Sequence, residues 1–264
     1  MAQSARDIRR QERGVRRTFA IIGGSGLTQL ANLEISRREV VRTPCGEPSG
    51  ALTFGNIAGC EVVFLARHGY GHTIPPHQVN YRANIWALHA QGVKNVVAVA
   101  AVGGIRSDFT PGALAVPDQI IDYTHGRAGT FFTGGDTGVR HIDFTLPYCQ
   151  TLRAACLGAG RQAGETLIDG GVYAATQGPR LETAAEIDRL ERDGADMVGM
   201  TGMPEAALAR EIGLCYAAIA VVANRAAGRG GGTAINMSDI AAVLERAMGR
   251  VRPVLAKLAA SDGG

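Results

Sequence analysis

Apolar residues in this chain fall into two patterns that alternate along its length. One is a short unbroken run closed by glycine or by polar residues. The other is a segment where apolar residues recur every three or four positions. The first reads as a buried strand and the second as an amphipathic helix. Runs predict strands at Phe19–Ile22, Glu61–Ala66, Asn95–Val102, Leu114–Ile121, Asp169–Thr176, Asp196–Met200 and Ala217–Ala223. Val40 to Phe54 reads as strands broken by the turn TPCGEPSG. Helical spacing predicts Val79–Gln91, Thr151–Ala163, Thr183–Arg192, Pro204–Ile212 and Asp239–Leu258, with Thr183 and Ser238 as caps. In the first of these, Val79, Ala83, Trp86, Ala87 and Ala90 share a face, and Trp86 reads as core. Thr124 to Pro147 reads as loop, with His125 and His141 in it. Strand and helix alternate without an internal repeat or a domain-scale linker. That predicts one α/β domain over residues 18–264.

Composition narrows the class. The 264 residues include 36 glycines and only 5% aromatics, which suits an α/β domain with many tight loops. No apolar stretch is long enough to span a membrane, and the N-terminus lacks an apolar signal core, so a cytoplasmic protein is expected. Residues 1–17 carry six arginines against Asp7 and Glu12, a net of +4 in a chain of net +3. The rest is therefore −1, and the basic character belongs to an N-terminal extension expected to be disordered or helical, not to a nucleic-acid face. The five cysteines (45, 60, 149, 156 and 215) are scattered with no CxxC pair. The pattern predicts neither a disulfide framework nor a zinc site, with most of them in the core and Cys156 open to exposure on its helix.

Polar groups gather where the strands end, the usual ligand side of an α/β sheet. Phe19–Ile22 runs into Gly23-Gly24-Ser25-Gly26, a backbone that can approach an anion. Gln29 stands where a dinucleotide loop would want its third glycine, and no Walker pattern occurs. Glu61–Ala66 delivers Arg67 and His68, donors suited to phosphate, followed by His72. Asn95–Val102 continues into Gly103, where small residues let a ligand reach the main chain. The run from Ala217 ends in Asn224-Arg225. Asn224 taken alone reads more readily as a turn former. Placed in a ligand site, its amide offers a donor beside an acceptor.

Together these motifs resemble the trimeric purine nucleoside phosphorylase and methylthioadenosine phosphorylase family. The resemblance rests on IIGGSGL (21–27), ARHGYGHTIPPHQVNYRANIWAL (66–88), AAVGGI (100–105), QGPRLET (177–183) and GMTGMPEAALARE (199–211), and runs from about Phe19 to Leu258. It implies a central mixed, partly barrel-like sheet flanked by helices, and a homotrimer or a dimer of trimers. The implied reaction is reversible phosphorolysis of a purine nucleoside, with phosphate as co-substrate and neither cofactor nor metal. The resemblance places phosphate among Ser25, Arg67, His68 and Thr201, with backbone help at Ala100 and Ala101. Ala100 departs from the hydroxyl residue usual there. Met200 matches the residue packing on the sugar, and Leu181 the large apolar residue beside the base. Val102, Gly103, Val198, Gly199, Ala223 and His72 fall on the implied substrate wall.

Two positions bear on the substrate. Family members for 6-aminopurines carry aspartates at the positions of Asn224 and Ala226. Asparagine suits a 6-oxopurine, since its NH₂ can donate to O6 or N7. Where family members for ordinary nucleosides hold the 5′-hydroxyl with histidine, the match puts Met237, with Ile240 one turn on. Both suit an apolar 5′ group; Met237 alone also reads as core. The combination predicts S-methyl-5′-thioinosine as substrate. The alternatives are methylthioadenosine, 6-oxopurine nucleosides in general, and, from another class, a nucleoside-binding regulator that has lost catalysis.

Overall fold

The computed structural model describes residues 18–134, 138–231 and 235–262. The basic extension 1–17 lies outside them. The described strands form one mixed sheet. Its parallel centre is β4 (Cys60–Ala66), β1 (Thr18–Gly23), β5 (Val93–Gly104) and β11 (Cys215–Arg225), in that spatial order. These are the unbroken apolar runs of the sequence. Parallel strands covered on both faces need such runs. Alternate residues serve opposite faces. Phe19, Ile21, Val97 and Ala217 pack toward α2 (Gln150–Gln162) and α5 (Met237–Asp262). Ala20, Ile22, Val96 and Ala218 pack toward α1 (Tyr81–Ala90) and α4 (Gly202–Glu211).

β5 is long enough, at 12 residues, to have different neighbours at its two ends. β1 pairs with it only as far as Ala98. Beyond, β10 (Met197–Gly199) takes that edge at Gly103 and Gly104, antiparallel, and leads to β9 (Val172–Ala175) and β7 (Gln119–Asp122). On the other edge β11 leads to β6 (Leu114–Val116) and β8 (Leu167–Asp169). The sheet forks at β5 and stays open, since β7 and β8 end separate branches.

The structure revises several sequence expectations. The Leu114–Ile121 run is two strands in different branches, broken at Pro117, which has no N–H for a ladder. Asp169–Thr176 is likewise divided by Gly170 and Gly171, both at positive φ. The paired strands expected within Val40–Phe54 are β2 (Glu34–Glu39) and β3 (Leu52–Ile57). Most of that interval is their connection. β2 is exposed throughout, so no apolar pattern announces it. Trp86 is half-buried, with its ring beside Phe131 of the long loop, and is not core. Cys156 is buried against α5 rather than exposed. Cys149 and Cys215 form a disulfide across 66 residues of sequence. Only the fold brings the start of α2 beside the start of β11, so spacing could not show the pair. Ser238 lies inside α5 and donates to Asn236 Oδ1 through both its main chain and hydroxyl, so Asn236 caps that end.

Candidate active site

A cavity of about 540 Å³ opens at the fork, over the carboxyl ends of the central strands. Each strand brings its own group to the wall. β1 leads to Gly24 and Ser25, β4 to Arg67 and His68, β5 holds Ala100 to Gly103, β10 leads through Val198 and Gly199 to Met200 and Thr201, and β11 ends in Ala223 and Asn224. His72, Leu181, Met237 and Ile240 complete the set. Of the residues singled out from the sequence, only Ala226 is absent from this wall. It is buried behind Gly103 with Ile105, Ile187 and Val198, because its N–H returns to Gly104 O and turns the side chain away from the cavity.

The anion end is built around a buried cation. Arg67 is 1% exposed and makes a two-pronged pair with Glu205, Nε to Oε2 at 2.7 Å and Nη2 to Oε1 at 2.9 Å. Nη1 donates to Val99 O at 3.1 Å. Tyr216 Oη donates to Glu205 Oε1 at 2.7 Å, so the carboxylate is held from two sides. Burial opposes the guanidinium charge, but Glu205 outweighs it and holds the Arg67 pKa above its ordinary value. Three of the five N–H groups are used, leaving one on each Nη. Gly24 packs over them, where a Cβ would meet Val99 O at 2.5 Å and Arg67 Nη1 at 2.9 Å. The glycine is required there for close approach. Thr201 is buried beside them, with its N–H on Tyr173 Oη.

His68 does not act as the extra donor expected of it. Its Nδ1 lies 2.8 Å from Ile74 O. A carbonyl only accepts, so Nδ1 carries the proton and Nε2 keeps a lone pair. Burial first, then the charge of Arg67, push its pKa down to about 4, and the ring is neutral near pH 7. The same loop returns Thr73 and Ile74 N–H groups to His68 O. His72, with its ring centroid 4.7 Å away and φ of 51°, sits on the loop so formed.

At the opposite end the β11–β5 ladder slips. Val222 pairs with Val102 but Asn224 pairs with Gly103, so Ala223 is an extra residue. Such a bulge re-aims the residue after it. Asn224 Nδ2 donates to Arg225 O at 2.6 Å, leaving its second amide hydrogen and Oδ1. Arg225 in turn clasps the carbonyls of Arg106 and Ser107. A third wall is apolar. Met237, Ile240, Ala241 and Leu244 lie at the one-face spacing of a helix along the start of α5. Met237 is 64% exposed and so is not core.

Sequence reasoning missed Glu205, Tyr216, Ala241, Leu244 and the prolines 75, 76 and 179. Glu205 did leave a signal: it is the one acid in the apolar stretch Met203 to Ala209. Arg229, beyond the end of β11, is paired with Asp188 and Glu191 on α3 (Ala184–Arg192).

Residues 18–260 match the family described as the phosphorylase superfamily. A Pseudomonas syringae pv. tomato protein named "Probable S-methyl-5'-thioinosine phosphorylase" is 54% identical over 240 residues, 91% of this chain and 97% of its own. A Pyrococcus furiosus 6-oxopurine nucleoside phosphorylase is 48% identical over 218 residues, 81% of each chain. A methylthioadenosine phosphorylase from Schistosoma mansoni, solved with adenine, shares the fold at a TM-score of 0.88 and 31% identity, over 92% of this chain and 91% of that one. The chain belongs to the phosphorylase superfamily.

Proposed function

We propose that this chain catalyses phosphorolysis of S-methyl-5′-thioinosine, giving hypoxanthine and 5-methylthioribose 1-phosphate for purine salvage. The observation that carries the reading is one cavity lined both by the Asn224 amide and by an apolar face of α5. The Pseudomonas syringae relative, whose name states this activity, supports it.

In the reaction a phosphate oxygen bonds to C1′ as the C1′–N9 bond breaks. The bonding electrons leave on the purine, which takes a proton at N7 from solvent, while hydrogen phosphate gives up its own proton to solvent on becoming the sugar phosphate, so the step balances. The Nη hydrogens of Arg67 and the hydroxyls of Ser25 and Thr201 hold phosphate. With Nε2 unprotonated, His68 accepts from the P–OH of hydrogen phosphate. Ala100 and Ala101 offer main chain only. Bound phosphate stabilises positive charge on the sugar, against which Met200 packs, and Asn224 meets charge growing on the base. The free amide hydrogen donates to O6, and Oδ1 accepts from N7–H. Leu181 covers the base as an aliphatic lid, and Met237 with Ile240 takes the methylthio group. The reaction needs no cofactor, phosphate being a co-substrate. The enzyme is cytoplasmic and a homotrimer. Exposed Val139 and Leu146 on the long loop support such an association.

The test is kcat/KM at saturating phosphate for methylthioinosine, methylthioadenosine and inosine. Methylthioinosine is expected to lead. Asn224→Asp should lower the methylthioinosine to methylthioadenosine ratio by a factor on the order of 10²–10⁴, since a site built around one hydrogen-bond pattern rejects another by such factors. Inosine used as well as methylthioinosine would overturn the 5′ assignment and favour the 6-oxopurine reading of the Pyrococcus furiosus relative. No base released from any of the three would overturn catalysis itself.

A further inference from the structure

Arg127 stands outside the cavity wall, in the loop between β7 and α2. Its guanidinium nevertheless joins two segments that form that wall. Nη1 donates to Met200 O at 2.8 Å and Met203 O at 2.6 Å, and lies 3.3 Å from Tyr81 Oη. Nη2 donates to Gln177 O at 2.9 Å and Thr176 O at 3.3 Å, and Nε to Gln177 Oε1 at 3.2 Å. Four of these acceptors are main-chain carbonyls. Two belong to the turn that presents Met200 and Thr201. The other two begin the stretch that presents Pro179 and Leu181.

No carboxylate among the described residues pairs with Arg127 at ion-pair distance, in contrast to Arg106, Arg180, Arg229 and Arg250. Its donors go instead to neutral acceptors on both sides of the same opening. A planar fork of five N–H groups can serve both sides at once, whereas an ammonium is a point donor.

We infer that Arg127 is a positioning residue for nucleoside binding: it sets the distance between the Met200 turn and the Gln177–Leu181 segment, and thereby the width of the slot for sugar and base. It acts through those segments and touches neither reactant. The inference rests on the proposed reaction for its kinetic test and stands apart from the choice of base and 5′ group, because Asn224 and Met237 lie on other walls.

The experiment compares wild type with Arg127→Lys and Arg127→Ala. Displacing a wall by about 1 Å can cost on the order of 10²-fold in rate. Arg127→Lys should therefore raise the nucleoside KM about tenfold or more with methylthioinosine and with inosine alike. Their ratio should hold within about twofold, and the phosphate KM should rise less than the nucleoside KM, because Thr201 sits on the Met200 turn while Arg67 and Ser25 do not. Millimolar guanidinium should restore part of the loss in Arg127→Ala and none in wild type. Hydrogen exchange provides a reading independent of substrate: protection should fall across residues 176–182 and 199–203 in Arg127→Lys and hold across 67–74. Unchanged exchange in the two segments would overturn the inference. So would a parallel rise in both KM values, which marks general loosening. If wild type cleaves neither nucleoside, the proposed reaction has failed, and the exchange pattern alone decides the role of Arg127.

Discussion

His68 shows how one hydrogen bond sets the chemistry of a side chain. Its Nδ1 proton is committed to Ile74 O, so the ring faces other groups as a neutral acceptor. The pKa pushed down from 6.5 to about 4 has a consequence for stability. Between those values the unfolded chain binds a proton that the folded chain refuses. Stability therefore falls as the pH drops through this window, by about 3 kcal/mol in full. Above about pH 6.5 both states are neutral at this site and the effect is absent. Urea melts at pH 6.5 and pH 4.5 should show a larger loss in wild type than in His68→Asn, which cannot titrate. Equal losses would mean that the ring is not held neutral by burial. Arg67 and Glu205 call for a different measurement. Glu205→Gln removes the anion and leaves a buried guanidinium uncompensated, a change that typically costs about 3–5 kcal/mol. The variant is expected to melt far lower than wild type, with phosphate recovering part of the loss because the anion replaces the missing charge. A variant as stable as wild type would show that the pair contributes little.

At the scale of elements, the sequence was most legible where burial is uniform. β11 and β5 could be read because their central runs, Ala217–Ala223 and Val96–Val102, are covered on both faces and hold no polar residue to confuse the pattern. β2 could not, because EISRRE is an exposed edge carrying no apolar signal. The site was legible in its residue types, since its groups leave strand ends beside glycines. The relations between those groups were not. Arg67 and Glu205 are 138 residues apart, and the bulge that aims Asn224 depends on pairing with β5. The acceptors of Arg127 lie at least 46 residues away in sequence. Local chemistry can be written in a short stretch, whereas distant pairing is settled only by the fold. Thr183 is a case where the short stretch sufficed. Its hydroxyl accepts from Glu186 N at 3.1 Å and its own N–H reaches Glu186 Oε2 at 2.8 Å, a complete capping box. It starts α3 two residues after Leu181. Thr183→Ala should cost about 1 kcal/mol in chemical denaturation and Thr183→Ser much less. Equal losses for the two would assign the effect to the lost methyl group rather than to the cap.

For the whole molecule, the Cys149–Cys215 bridge ties the long loop and α2 to the first residue of β11. It closes a 66-residue separation. On the chain-entropy account such a link stabilises by about 4 kcal/mol, by restricting the unfolded chain. It is not the only tie at that point. Cys149 N donates to Tyr216 O at 2.8 Å, and α2 packs on β11 through apolar contacts. The folded arrangement therefore has reasons to persist when the sulfurs separate. In a reducing compartment the two cysteines would stand as thiols. Adding a thiol reductant should lower the melting temperature of wild type while leaving kcat/KM at moderate temperature nearly unchanged. Cys149→Ser should melt at the reduced wild-type temperature and ignore the reductant. If reduction also lowers kcat/KM, the effect must pass from Cys215 through its neighbour Tyr216 to Glu205 and Arg67, the hydrogen-bonded route between the bridge and the cavity. Tyr216→Phe separates the two cases: it breaks that route while keeping the ring, so any dependence of activity on reductant should disappear with it.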